Sequence, residues 1–328
     1  MRELVWLIDP PAASIGFARP TLPFRLFLCV PGSGMSVSLW SEETSEVLRG
    51  PGVCRKRVVE GLLQLEEKYL PSPLYITLIQ RDPDTREALA KWTLEVCREH
   101  RCAESVFLLA VSLLDRYLST SLSLPVSPTC LTAACILIAS KLIGNKAVSP
   151  GYLSKAANSN FLPGHLLDME SIVLATLRWD VATVTASDFL PHFLSALSEN
   201  EDGQRTGHTE GFLSSVRSLS DTLVALCVCD AHLLGTPPSL VAAAALSSAC
   251  RALGNKAPEM DTITTLLAGL CQTEKVVVQY YSELIDSIST ERLRSREKQV
   301  WDLDGDKQDE EVKDDRAGTP TDLREIQF

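Results

Sequence analysis

An apolar, helix-like stretch occurs twice in this chain, first at residues 127–141 and again at residues 237–251. Each copy has proline at its first helical position, where the missing N–H costs no hydrogen bond, and each ends on a basic residue. Between these ends both copies are small or apolar on nearly every side. A helix that is apolar all round must be surrounded by other helices, so each copy predicts the centre of its own helical bundle.

Composition limits the classes of partner that such a protein can have. The formal net charge is −11, which opposes binding to nucleic acid and to anionic membranes. No uninterrupted apolar run approaches the roughly 20 residues that a membrane-spanning helix needs. The ten cysteines mostly lie in apolar helical patterns, and none of their groupings has metal-ligand spacing. We therefore expect a soluble intracellular protein with reduced thiols, no metal, no nucleic acid and no membrane partner.

Periodicity divides the chain into four parts. Residues 1–54 lack sustained periodicity and are rich in proline, which predicts disorder, and Met35 is a candidate for the true start. Helical periodicity then predicts one bundle over residues 55–180 and a second over 181–290, each with about five helices. Residues 291–328 are polar and acidic, which predicts a disordered tail. The predicted fold class is all-α, with two tandem bundles.

Enzyme motifs are absent from the sequence. There is no glycine-rich loop after a strand, no His-Glu-x-x-His and no Gly-x-Ser-x-Gly. His165, His192 and His232 are isolated from any recognisable base or nucleophile. The sequence therefore predicts a protein with neither catalytic residues nor a cofactor.

Several short motifs resemble those of the cyclin family, and more narrowly those of D-type cyclins. The motifs of a first cyclin box appear in order, and three later motifs are similar to D-type cyclins. The first set is Trp92-Thr93-Leu94-Glu95-Val96-Cys97, Leu114-Asp115-Arg116-Tyr117-Leu118, Ala139-Ser140-Lys141-Leu142 and Leu177-Arg178-Trp179. The second set is Val184-Thr185-Ala186-Ser187-Asp188-Phe189, Pro237-Pro238-Ser239-Leu240-Val241-Ala242-Ala243 and Thr319-Pro320-Thr321-Asp322-Leu323-Arg324-Glu325-Ile326.

This resemblance implies two tandem cyclin boxes and a regulatory subunit that activates cyclin-dependent kinases four and six. The resemblance also implies that the protein promotes the transition from the first gap phase into DNA synthesis, through phosphorylation of retinoblastoma-class proteins. The implied location is the nucleus and the cytoplasm. Kinase-inhibitor proteins and a ubiquitin ligase acting through the C-terminal tail are the other implied partners. Two alternatives are a cyclin-fold adaptor that does not activate a kinase and a transcription factor of the two-cyclin-fold kind. The chain's acidity and its lack of a zinc ribbon oppose the transcription factor.

Two charged residues are the predicted kinase-binding site. Lys141 ends a predicted buried helix, so its ammonium group must reach solvent or find a partner. Glu170 lies on the next long predicted helix. In cyclins the lysine and glutamate at these positions grip the kinase backbone and its regulatory helix. The simpler alternative is a lysine that extends to solvent and an ordinary surface glutamate.

A second predicted site is a substrate-docking face. Thr85, Ala88, Leu89 and Trp92 have the spacing of one helix face, and with Arg86 they match the docking patch of cyclins. Threonine and alanine are smaller than the family's usual residues, so they bury less apolar area and predict weak docking of Arg-x-Leu peptides. The alternative for the two large apolar residues is plain core packing.

Two further predictions lie near the chain ends. Leu39, Ser41 and Glu43 resemble the Leu-x-Cys-x-Glu motif that docks on retinoblastoma-class proteins, with serine in place of cysteine. A hydroxyl in an apolar subsite costs about 1–3 kcal/mol, which weakens this interaction. Thr319, followed by Pro320, matches the phosphorylated threonine that drives export and turnover of D-type cyclins.

Overall fold

The computed structural model describes residues 51–121, 127–198, 210–254 and 257–308. These residues form twelve α-helices and a short 3-10 helix, with no β-strand among them. The helices are α1 (Pro51–Tyr69), α2 (Pro73–Arg81), α3 (Asp84–Glu99), α4 (Glu104–Ser121), α5 (Pro128–Ile143), α6 (Pro150–Ala156), α7 (Pro163–Thr176), α8 (Ala186–Ser198), α9 (Glu210–Cys229), α10 (Pro238–Ala252), α11 (Ala257–Leu270) and α12 (Lys275–Gln308).

Helix α5 is the centre of the first bundle. The Ser127 hydroxyl caps it by accepting a hydrogen bond from the backbone N–H of Cys130, and Pro128 stands in its first turn. Every residue from Cys130 to Ser140 is buried. The surrounding helices are α3, α4, α6 and α7. The first predicted central helix is therefore confirmed.

Helix α10 is the equivalent centre of the second bundle, with every residue from Ser239 to Cys250 buried among α8, α9, α11 and α12. Its N-cap residue, Pro237, makes no side-chain cap. Glu66 of α1 caps the helix instead, because its carboxylate accepts hydrogen bonds from the N–H of Ser239 at 2.8 Å and from its hydroxyl at 2.7 Å. Burial raises the pKa of this carboxyl group. Helix α1 thus packs against α8 and α10 of the second bundle, although it precedes the first bundle in sequence.

The structure changes the predicted count and boundaries. The first half has seven helices, two more than expected, because α2 and α6 are too short to show a clear period. Helix α1 begins at Pro51, four residues before the predicted boundary at 55. Helix α12 continues to Gln308, beyond the predicted end of the second bundle at residue 290. The charged residues of this segment favour helix, and Arg292 donates to Asp230 at 3.3 Å, which holds α12 against the bundle.

Helix α9 is long and apolar enough over Gly211–Cys229 to cross a membrane, judged by length and composition alone. The search of the sequence for uninterrupted apolar runs did not identify α9, because Arg217 and Asp221 interrupt its apolar residues. The side chains of these two residues pair at 2.9 Å. Val216 and Val224 are buried, and the helix packs against α10. We therefore assign α9 to the second bundle.

Candidate functional site

Lys141 and Glu170 meet on the surface of the first bundle. Lys141 lies in the last turn of α5, and Glu170 lies in the middle of α7, which packs against α5. The lysine Nζ lies 2.6 and 2.9 Å from the two carboxylate oxygens. The lysine side chain is 45% exposed and that of the glutamate 13%. The structure therefore brings the two predicted residues together, and the lysine both reaches solvent and has a partner.

Exposed apolar side chains flank this ion pair. Leu142, next to the lysine, is 50% exposed, and Leu167 on α7 is 46% exposed. Leu167 and Leu174 lie three residues before and four residues after Glu170, so all three share one face of α7, where Leu174 is half-buried against the core. We call Lys141, Leu142, Leu167, Glu170 and Leu174 the α5/α7 surface. Apolar side chains clustered around a charged pair are typical of a protein-binding surface rather than of a solvated face.

Trp179 was part of a recognised sequence motif but was not predicted as a site residue. Its side chain is 66% exposed, and it lies three residues after the end of α7. Its φ is +62°, in the left-handed region that a bulky residue seldom adopts, and Arg178 before it has φ +52°. A hydrogen bond of 2.8 Å from its N–H to the Leu174 carbonyl holds this turn. An exposed tryptophan fixed in such a conformation is typical of a contact residue.

The predicted docking face on α3 is only partly available. Thr85 and Ala88 are exposed and Trp92 is half-buried, whereas Arg86 and Leu89 are buried. For Leu89 the structure matches the alternative of core packing. The outward part of this face therefore consists of two small side chains and the edge of one tryptophan.

Arg86 belongs to a buried polar network between the bundles. Its guanidinium group contacts both oxygens of Asp115, at 2.8 and 3.2 Å, and donates to the carbonyl of Val228 on α9 at 2.6 Å. The Tyr75 hydroxyl donates to the same carboxylate at 2.8 Å. Burial, together with this carboxylate, raises the pKa of Tyr75, so the phenol stays protonated and donates. Arg86 thus links α3 and α4 to the second bundle.

Two sets of predicted residues lie outside the described part of the chain. They are Leu39, Ser41 and Glu43 near the N-terminus and Thr319 near the C-terminus. Within the described ranges, no group of three or more histidine, cysteine, aspartate or glutamate side chains is placed to hold a metal ion.

Comparison with known proteins matches the two bundles separately. The model of the cyclin N-terminal domain matches residues 57–182, and that of the cyclin C-terminal domain matches residues 184–308. G1/S-specific cyclin-D1 of Danio rerio is 32% identical over 276 residues, which is 82% of this chain and 91% of that protein. G1/S-specific cyclin-D3 of Homo sapiens is 37% identical over 241 residues, or 73% and 80%.

A solved structure shows the same architecture. The X-ray structure of a viral cyclin from herpesvirus saimiri superposes with a TM-score of 0.51 at 25% identity, covering 63% of this chain and 85% of the viral protein. Together these comparisons confirm the predicted pair of tandem cyclin boxes.

Proposed function

This chain belongs to the cyclin family as a divergent D-type member, and from that premise we propose that it binds and activates a cyclin-dependent kinase of the four/six type. Its relatives are G1/S cyclins, which supports a regulatory role in the cell cycle. Cyclins are regulatory subunits of kinases and do not catalyse the transfer themselves. The observation that carries the proposal is the α5/α7 surface.

The ion pair on this surface is suited to hold a kinase's regulatory helix by its backbone. The ammonium group of Lys141 has three N–H donors, and Glu170 occupies at most two of them. One donor therefore points outward for a backbone carbonyl of the partner. The glutamate places its negative charge beside the lysine, which fixes the direction in which that donor points.

The apolar residues supply the contact area. Leu142, Leu167 and Trp179 expose about half or more of their surface, and a few such anchors contribute most of the binding energy in protein interfaces. Burying them against the kinase would favour the kinase conformation whose regulatory helix fits this surface. In that conformation the catalytic lysine of the kinase pairs with its helix glutamate. The cyclin thus shifts a conformational equilibrium in its partner.

Three variants of the ion pair test this proposal in a kinase pull-down and in phosphorylation of a retinoblastoma-protein fragment. Lys141→Glu and Glu170→Lys should each abolish binding, and the double exchange should restore the pair within the cyclin without restoring kinase binding. Circular dichroism should show the same helix content in all three. Wild-type affinity in both single variants would overturn the proposal, and so would recovery of binding in the double variant. A wild-type protein that binds without activating would identify a cyclin-fold adaptor instead.

The proposal also includes control of the protein's lifetime through its C-terminal segment. Thr319-Pro320 is the dipeptide that proline-directed kinases read, and a phosphate would add about −1.5 to −2 charge for a basic pocket of a ubiquitin ligase. In a cycloheximide chase Thr319→Ala should persist longer than wild type. Equal half-lives would contradict this part of the proposal and leave kinase activation unaffected.

A further inference from the structure

Helix α3 ends in a turn that brings two cysteines together. The N–H of Cys102 donates to the carbonyl of Cys97 at 2.8 Å, and the N–H of Arg101 donates to that of Arg98 at 3.1 Å. Arg101 has φ +54°. These two hydrogen bonds and the left-handed residue define a Schellman motif, in which the side chains at the positions of Cys97 and Cys102 touch.

This backbone geometry therefore places the Cys97 and Cys102 side chains next to each other. They differ in access, because Cys97 is 3% exposed whereas Cys102 is partly exposed at the surface. None of the eight cysteines that the structure describes forms a disulfide. We propose that Cys97 and Cys102 form a reversible disulfide when the protein meets a peroxide, which makes the end of α3 a redox-modification site.

Cys102 is the residue that reacts first. Its Sγ lies 3.9 Å from Nδ1 of His100, which accepts the thiol proton when that nitrogen carries the lone pair. The thiolate attacks one peroxide oxygen, the O–O bond breaks, and a sulfenic acid forms. The departing hydroxide takes the proton from the imidazolium and leaves as water.

Cys97 completes the reaction. Its sulfur attacks the sulfur of the Cys102 sulfenic acid, the S–O bond breaks, and the leaving hydroxide takes the Cys97 proton as a second water. Two thiols lose two electrons and the peroxide gains them. Burial raises the pKa of Cys97 to about 12 and also raises that of Cys102, so each step is slow. The turn selects the partner, because its backbone hydrogen bond from Cys102 to Cys97 holds these two residues side by side.

The disulfide should leave the fold intact. It closes a loop of only six residues, from 97 to 102, so it restricts the unfolded chain very little. Its effect is local, because it fixes the junction of α3 and α4 beside Tyr152, whose ring packs edge-on against that of His100. A thiol reductant reverses the reaction by exchange.

Peptide mapping of the full-length protein tests the proposal directly. After peroxide treatment and alkylation without reduction, trypsin should cut after Arg98 and Arg101 and place the two cysteines in separate peptides, residues 92–98 and 102–116. A disulfide joins these peptides into one species whose mass is two hydrogens below their sum, and dithiothreitol separates them again. Wild type should give this species as its main oxidised product.

Two cysteine variants make the result specific. Cys102→Ser should lose the joined species, whereas Cys130→Ser, which changes a thiol that is 3% exposed like that of Cys97, should keep it. The proposal is overturned if both thiols stay free, if Cys102 is oxidised to sulfinic acid without a link, or if it links mainly to other cysteines.

Discussion

The two central helices end in similar ion pairs that have different surroundings. Lys141 at the end of α5 pairs with Glu170, and Arg251 at the equivalent end of α10 pairs with Asp286. In each bundle the carboxylate comes from its last long helix, α7 or α12. Internal repetition alone would assign the same role to both pairs.

The surroundings separate them. Arg251 also donates to the hydroxyl of Ser282 at 2.9 Å, and the hydroxyl of Ser248 donates to Asp286. Both serines are buried, so the second pair satisfies polar groups of the interior. The first pair instead lies among exposed leucines. We therefore expect the repeated charge to contact a partner in the first bundle and to stabilise the fold in the second.

The largest effect should come from a third ion pair, the buried one between Arg86 and Asp115. Arg86→Ala leaves an uncompensated carboxylate in the interior and removes the bond to Val228, which should cost about 3–5 kcal/mol. Urea unfolding checks this value. If the free energy of unfolding falls by less than about 1 kcal/mol, burial of an ion pair does not determine how strongly its loss destabilises this protein.

Kinase affinity should separate the two central-helix pairs most sharply. Lys141→Glu should weaken binding at least about thirtyfold, because disrupting a desolvated charge contact costs about 2–5 kcal/mol. Arg251→Glu makes the same charge change in the second box and should leave affinity unchanged at a temperature where it is folded. If titration calorimetry shows the same loss of kinase affinity for Lys141→Glu and Arg251→Glu, the two ion pairs do not differ in role.

Protein stability should depend more on the Arg251–Asp286 pair than on the Lys141–Glu170 pair, the reverse of kinase affinity. Asp286→Asn weakens the bonds to Arg251 and Ser248 and should destabilise the protein by about 1–2 kcal/mol. Glu170→Gln weakens a bond to Lys141, whose side chain is 45% exposed, and not a bond to a buried serine, so it should cost less than about 1 kcal/mol. Thermal unfolding of the two variants side by side measures this difference, and a larger loss for Glu170→Gln would invert the assignment.

A further expected effect is a pH dependence at a contact between the boxes. Burial, with a contribution from Asp221 and opposed by Arg217, raises the pKa of Glu104 to about 7. A raised pKa in the folded state means that its stabilising contribution is full below about pH 4.5 and is lost as pH rises through 7. Glu104→Gln should therefore gain stability relative to wild type over this interval. If the free energies of unfolding of the two proteins change in parallel over this pH interval, the Glu104 carboxyl group does not titrate there.

The sequence by itself determined the two bundle centres and the order of the cyclin motifs. An all-apolar helix can only lie inside, so burial of α5 and α10 followed from composition and from the prolines that begin them. The same logic forced Lys141 to the surface or to a partner, because an isolated buried ammonium group is too costly.

Only the tertiary structure decided which charged residues are internal. The spacing of Thr85, Ala88 and Trp92 indicates one helix face, yet it says nothing about Arg86, which lies off that face. Its partners Asp115 and Val228 lie 29 and 142 residues away, and Glu66 caps a helix 173 residues further along. A polar group can be buried only where distant helices bring it a partner, so such positions depend on packing that local patterns do not contain.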